Sequence, residues 1–221
     1  MKYINIKYFD SNKEFYDCTL NKLHISPNEN VIAGGTSFKD FFKYLANENK
    51  KSFCFTISDE RLPLHNLDKI NIYNYKKIID KASSIKMYPD YNFMNYSRES
   101  FSSKIELHYN NISKIHYCLL GIGDDGHIAG LFNKKYIKHI VDKKKYIKFY
   151  NINDQTFRIS LSYKMILSAK EIDIFISTKK KLMFFKKVFD ENNQTSEDMP
   201  VLNLLKRYKN KLNLIYIKNN D

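Results

Sequence analysis

The chain has 221 residues, is 43% hydrophobic and carries a formal net charge of +13. That is enough apolar material for a sizeable core, and the length suits one domain spanning residues 1–221. No apolar run approaches the ~20 residues that cross a bilayer, and the first eight residues alternate like a strand, without the apolar centre or cleavage site of a signal peptide. Cys18, Cys54 and Cys118 are isolated, odd in number and lack metal-ligand spacing. They read as buried thiols in a reducing compartment, so a cytoplasmic location is expected, with no membrane partner. The positive charge raises the question of nucleic acid, but the lysines are dispersed in short groups such as Lys143 to Lys145 and Lys179 to Lys181. No recognisable module accompanies them, so no nucleic-acid partner is expected. A diffuse positive field does favour encounter with a small anionic substrate.

In chain order, strand-like runs fall at 3–8, 30–33, 53–58, 115–120, 146–150, 172–177 and 212–217. Amphipathic helical stretches lie between them near 12–23, 37–45, 71–79, 100–109, 163–169 and 181–189. This alternation predicts a three-layer α/β fold, a doubly wound and mostly parallel sheet with helices on both faces. Residues 134–145 are polar and basic and read as a solvated loop or helix face.

The chemistry sits where these elements meet. The run 31–33 leads into Gly34, Gly35, Thr36 and Ser37 just before a helical pattern. Glycines, hydroxyls and a helix start can cradle a phosphate, or they can be an ordinary turn with Thr36 or Ser37 as N-cap. After 53–58 come Asp59, Glu60 and Arg61. Three successive charges are not expected in the core; Arg61 could grip a phosphate bidentately with Asp59 fixing a neighbour, or the group could be a surface ion-pair cluster. The apolar run 115–120 breaks into Gly121, Ile122 and Gly123, followed by Asp124, Asp125, Gly126 and His127. A His beside an Asp at the carboxyl end of a parallel strand is the layout of a general base with its orienting partner. The competing reading makes His127 a helix-start residue capped by Asp124 or Asp125. Two further cations, Arg158 and Lys181, also fall at a strand or helix start.

Taken in order, these five motifs resemble the family shared by 6-phosphogluconolactonase and glucosamine-6-phosphate deaminase. Gly34 to Ser37 resembles its Gly-Gly-Ser-Thr phosphate loop, and Asp59-Glu60-Arg61 the lactonase form of a motif that reads Asp-Glu-Tyr in deaminases. The run from Gly121 to His127 matches the signature loop, with Leu131 and Phe132 following in the lactonase form. Arg158 to Ser162 resembles Arg-Ile-Thr-Leu-Thr, and Lys181 matches the lysine of Gly-x-x-Lys. The resemblance implies the Rossmann-like deaminase fold and hydrolysis of a phosphorylated sugar lactone in the oxidative pentose phosphate pathway. It implies His127 as water-activating base and Asp125 as its orienting carboxylate. Gly34, Gly35, Thr36, Ser37, Asp59, Arg61, Gly123, Arg158 and Lys181 would contact substrate or its phosphate. N–H groups at Gly34–Gly35 or Gly121–Gly123 are the candidate oxyanion donors. No metal or cofactor is expected, and the only partner expected is a small sugar phosphate bound by a monomer.

The chain departs from the family at four places. Ile70-Asn71 stands where the family often has Ser-Asn, Gly130 and Asn133 replace Ser and Pro beside Leu131-Phe132, and Thr178 replaces the Gly before the lysine. A deaminase would need a further acidic residue after the signature loop, where this chain has Asn133 and then lysines. A non-catalytic sugar-phosphate or nucleic-acid-binding protein on the same fold is the more distant alternative.

Overall fold

The computed structural model describes residues 5–23, 29–35, 37–47, 52–79, 84–132, 144–190 and 199–218. Thr36, Asn133 and most of the basic segment 134–145 lie outside the described residues. Among the described residues, seven strands form one parallel sheet: β1 (Asn5–Phe9), β2 (Asn30–Ile32), β3 (Phe53–Ile57), β5 (Ile85–Tyr88), β6 (Tyr117–Gly121), β9 (Glu171–Ile176) and β10 (Lys211–Ile217). Their spatial order is β1-β10-β9-β6-β2-β3-β5. The central members β2, β3 and β6 are almost wholly buried runs of Val, Ile, Leu, Phe and Cys, the composition of strands covered on both faces.

The order reverses between β2 and β6. From β2 the chain winds one way through β3 to β5, and from β6 it winds the other way through β9 to β10. Right-handed crossovers in opposite directions place helices on opposite faces, as the alternating pattern predicted. On one face, α1 (Asn12–Leu20), α2 (Lys39–Asn47) and α3 (Asn71–Ile79) join through aromatic rings. Tyr16 meets Phe41 at 5.4 Å and Phe42 meets Tyr75 at 4.5 Å. Phe41, Phe42 and Leu45 recur at helical spacing and are buried, each contributing about 1.5–3 kcal/mol through area removed from water. The crossovers after β5 use α4 (Arg98–Asn111), α5 (Tyr163–Leu167), α6 (Lys179–Asp190) and α7 (Pro200–Arg207). Among the described residues no helix is long and apolar enough to cross a membrane.

Three expectations are corrected. The run 146–150 is indeed a strand, β7 (Tyr146–Asn151), but it belongs to a separate three-stranded antiparallel sheet among the described residues. There it pairs with β8 (Thr156–Leu161), which pairs in turn with β4 (Asp59–Leu62). Asp59, Glu60 and Arg61 are therefore a strand and not a surface cluster, with Asp59 buried and Glu60 at 0% exposure. Strand alternation sends Asp59 and Arg61 to one face and Glu60 to the other. Finally, no helix begins at His127; the segment after Gly123 is a compact turn closed by Gly123 N–H to the His127 carbonyl at 2.8 Å.

Glu60 is held by three backbone donors, the N–H groups of Arg61, Asn71 and Ile72 at 2.8, 2.7 and 2.8 Å. The last two open α3, so the carboxyl closes unsatisfied donors of that helix and ties it to β4. Burial pushes Glu60 up to about 8 from its ordinary 4.5, against the pull of those three donors. A raised native value means the folded chain holds a proton that the unfolded chain has released. The resulting stability is fully present below pH 4.5 and is lost as pH rises toward 8. We expect the urea midpoint of the wild type to fall between pH 5 and pH 8 relative to Glu60→Gln, which lacks this titration. Parallel pH dependence in the two proteins would refute the assignment.

Candidate active site

In an open parallel sheet, ligands gather outside the carboxyl ends of strands where the order reverses. Here that point lies between β2, which runs into Gly34 and Gly35, and β6, which ends at Gly121. A cleft of about 300 Å³ opens there, lined by Gly34, Gly35, Ser37, Asp59, Arg61, Gly121, Gly123, His127, Arg158 and Lys181, together with Asn71 and short apolar residues. Every described residue expected to touch substrate thus reaches one cleft. Asp125 stands just behind it, against His127.

The Gly34–Gly35 turn is built by contacts distant in sequence. Tyr75 Oη lies 3.0 Å from the carbonyl oxygens of both Ala33 and Gly35, which share its one proton. Asn71 Oδ1 accepts from Gly35 N–H at 2.8 Å and from an Arg61 guanidinium nitrogen at 3.1 Å, while its Nδ2 donates to the Asp59 carbonyl at 3.2 Å. A side chain at Gly34 would meet Asn71 Nδ2 at 2.0 Å, and Gly35 has φ +84°, so both glycines are required. Asn71, buried at the start of α3, is the site residue that the sequence placed only by its match to the family. Ile70 beside it is buried core.

His127 Nδ1 lies 2.5 Å from Asp125 Oδ1, and the same oxygen accepts the His127 backbone N–H at 3.1 Å. Burial pushes the Asp125 carboxyl up, but hydrogen bonding and charge from His127 outweigh it, leaving it below the usual carboxylate range. An ionised Asp125 can only accept, so Nδ1 carries the proton and the Nε2 lone pair is left for chemistry. Nε2 has no hydrogen-bond partner among the described residues. The imidazole rests against Phe132, with centroids 4.4 Å apart, and against the bare Cα of Gly123, where a Cβ would lie 2.1 Å from ring atoms. We therefore expect Gly123→Ala to push the imidazole aside and cut turnover by about 10²-fold. Thermal unfolding of the variant separates this displacement from loss of the fold; turnover within twofold of wild type would show that the ring does not need this seat.

The cations come from three elements. Arg158 on β8 is 8% exposed, pairs with Asp154, and sits 3.7 Å from Asp59 and 5.2 Å from the Phe132 ring centre. Since 4.4 and 5.2 Å separate the imidazole and the guanidinium carbon from that same ring centre, the two lie no more than 9.6 Å apart. Arg61 is the direct cross-strand partner of Arg158. Lys181, in the first turn of α6, donates to the Ile122 carbonyl at 2.9 Å and pairs with Asp124 at 3.1 Å. Thr178, which replaces the family's Gly, accepts the Lys181 N–H at 3.3 Å as a helix cap. Gly130 is equally accommodated: its N–H donates to Ser160 Oγ at 3.0 Å, and a Cβ there would lie 2.7 Å from Ser160 Cβ.

The candidate oxyanion donors are narrowed. Gly35 N–H is engaged by Asn71 and Gly123 N–H by the His127 carbonyl. Gly34 N–H makes no hydrogen bond among the described residues.

Comparison with known proteins bears on the fold and the family. The family model described as glucosamine-6-phosphate isomerases/6-phosphogluconolactonase matches residues 26–212. A 6-phosphogluconolactonase of Helicobacter pylori is 25% identical over 209 residues, covering 82% of this chain and 91% of that protein. Among solved structures, a 6-phosphogluconolactonase from Shewanella baltica OS155 is similar with a TM-score of 0.77 at 19% identity, covering 98% of each chain. The 6-phosphogluconolactonase from Plasmodium vivax gives 0.67 at 21% identity, covering 98% of this chain and 91% of that one. At these identities the two structures speak for the fold. The match over residues 26–212 settles membership: this chain belongs to the glucosamine-6-phosphate isomerase/6-phosphogluconolactonase family.

Proposed function

We propose that the chain hydrolyses 6-phospho-D-glucono-1,5-lactone to 6-phosphogluconate. The observation that carries this reading is a histidine oriented by a carboxylate in the same cleft as a buried arginine, no more than 9.6 Å away. That spacing suits a six-carbon substrate with a reacting carbonyl at one end and a phosphate at the other, given contacts of ~3 Å at each end. His127 Nε2 takes a proton from water as its oxygen attacks C1, and Asp125 stabilises the imidazolium that forms. In this reading the Gly34 N–H donates to the developing oxyanion. As the C1–ring-oxygen bond breaks, the imidazolium returns its proton to the departing oxygen, giving the open acid. Arg158, Arg61 and Lys181 hold the phosphate with Ser37, and Asn71 keeps the Gly34–Gly35 turn and Arg61 in register. The three free thiols fit a reducing compartment, and we place the protein in the cytoplasm.

The test is acid release from freshly prepared lactone, measured against its spontaneous hydrolysis. We expect release well above that background and no ammonia from glucosamine 6-phosphate. Ammonia without lactone hydrolysis would identify a deaminase; steeply salt-dependent duplex binding with turnover of neither sugar would identify a binding protein.

A further inference from the structure

Among the described residues, the three cations that line the cleft each meet one or more of the chain's own carboxylates, and two of those carboxylates sit on turns. Arg61 and Arg158 face each other directly across β4 and β8, where like charges repel. Asp154, on the turn joining β7 to β8, meets both of them through Oδ2: it pairs with Arg158 and lies 3.9 Å from Arg61 Nε. Its Oδ1 and the Arg158 Nε are both buried without a hydrogen-bond partner among the described residues. This pair therefore meets only part of what two guanidinium groups can donate. On the other side, Asp124 of the signature loop pairs with Lys181 at 3.1 Å while itself 93% exposed. Neither Asp154 nor Asp124 lines the cleft.

We propose that Asp124 and Asp154 are stand-ins for the substrate's phosphate, holding the cations until a phosphate monoester displaces them. The proposal rests on the reading of these cations as a phosphate cradle. A dianionic phosphate gains from three cations together, and its several oxygens can reach donors that one carboxylate leaves unmet. A monoanion offers no such surplus over the carboxylates it would replace. The two aspartates thus set a threshold that a phosphate dianion clears more readily than a singly charged group. Asp154 also shields the two arginines from one another when the site is empty.

The experiment is calorimetric titration of inorganic phosphate into wild type, Asp124→Asn, Asp154→Asn and Arg158→Ala. We expect Arg158→Ala to lose binding and Asp124→Asn to bind about 2- to 5-fold more tightly, the worth of an exposed ion pair. Asp154→Asn should tighten at least as much. The ratio of kcat/KM for phosphorylated over unphosphorylated lactone should rise in both aspartate variants, whereas general structural damage would lower both rates together. Unchanged or weaker phosphate binding in Asp124→Asn overturns the proposal, and weaker binding in folded Asp154→Asn would make Asp154 an orienting residue instead. Loss of Arg158-dependent binding in the wild type would bring down the cradle itself, and the stand-in role with it. Arg158-dependent binding that the aspartate variants do not tighten sinks the stand-in role alone.

Discussion

His127→Asn is expected to lower kcat for lactone hydrolysis by about 10²- to 10⁴-fold while leaving KM nearly unchanged, the range of a general base lost from the transition state. Asparagine can still accept the place next to Asp125 but has no lone-pair nitrogen to take water's proton. In the proposed mode, ground-state substrate is held elsewhere in the cleft, by Arg158, Arg61 and Lys181, all of which line it, so binding should persist. Asp125→Asn should follow in the same direction, because it removes the acceptor that fixes the proton on Nδ1. A large rise in KM with kcat intact would move His127 from chemistry to binding.

Arg158→Ala is expected to act in the opposite sense, raising KM for the phosphorylated lactone by about 10- to 100-fold. That is the worth of charge-assisted hydrogen bonds of about 1.5–3 kcal/mol. For a lactone without phosphate, the variant and wild type should be nearly equal. Stability should fall as well, by about 3–5 kcal/mol, because Asp59 is left buried without its cation and Asp154 loses its closest one. Kinetics should therefore be run well below the melting transition. An equal loss on both substrates would indicate collapse of the cleft and not loss of a phosphate contact.

The strands that deliver Gly34 and Gly121 were legible because each is a short apolar run ended by glycine, a local signal. The contact of His127 with Asp125 was legible for the same reason: the two are two residues apart. Asp59 and Arg61 were read as candidate ligands but not as a strand. What permits Glu60 to be buried between them is the start of α3, more than ten residues later. The sequence does not show that the 146–150 run leaves the main sheet, because its partner strand from Thr156 is interrupted by Arg158 and the turn between them contains no glycine. Strand β5 escaped notice because it is short and broken by Lys86. Helix α7 did carry a readable signal, Pro200 at its first position followed by Val201, Leu202 and Leu204 on its buried side. Asp154 had none: its role depends on a cross-strand pairing of two arginines that are 97 positions apart in sequence, Arg61 and Arg158.

The central claim is that one substrate spans this cleft, with its reacting carbon at His127 and its phosphate at Arg158. A crystal structure with the product 6-phosphogluconate tests it most directly. The account predicts the C1 carboxylate within about 3–3.5 Å of His127 Nε2 and the phosphate on Arg158, beside Lys181 and the Gly34–Gly35 turn. A phosphate bound away from Arg158, or a C1 carboxylate out of reach of His127, would contradict it.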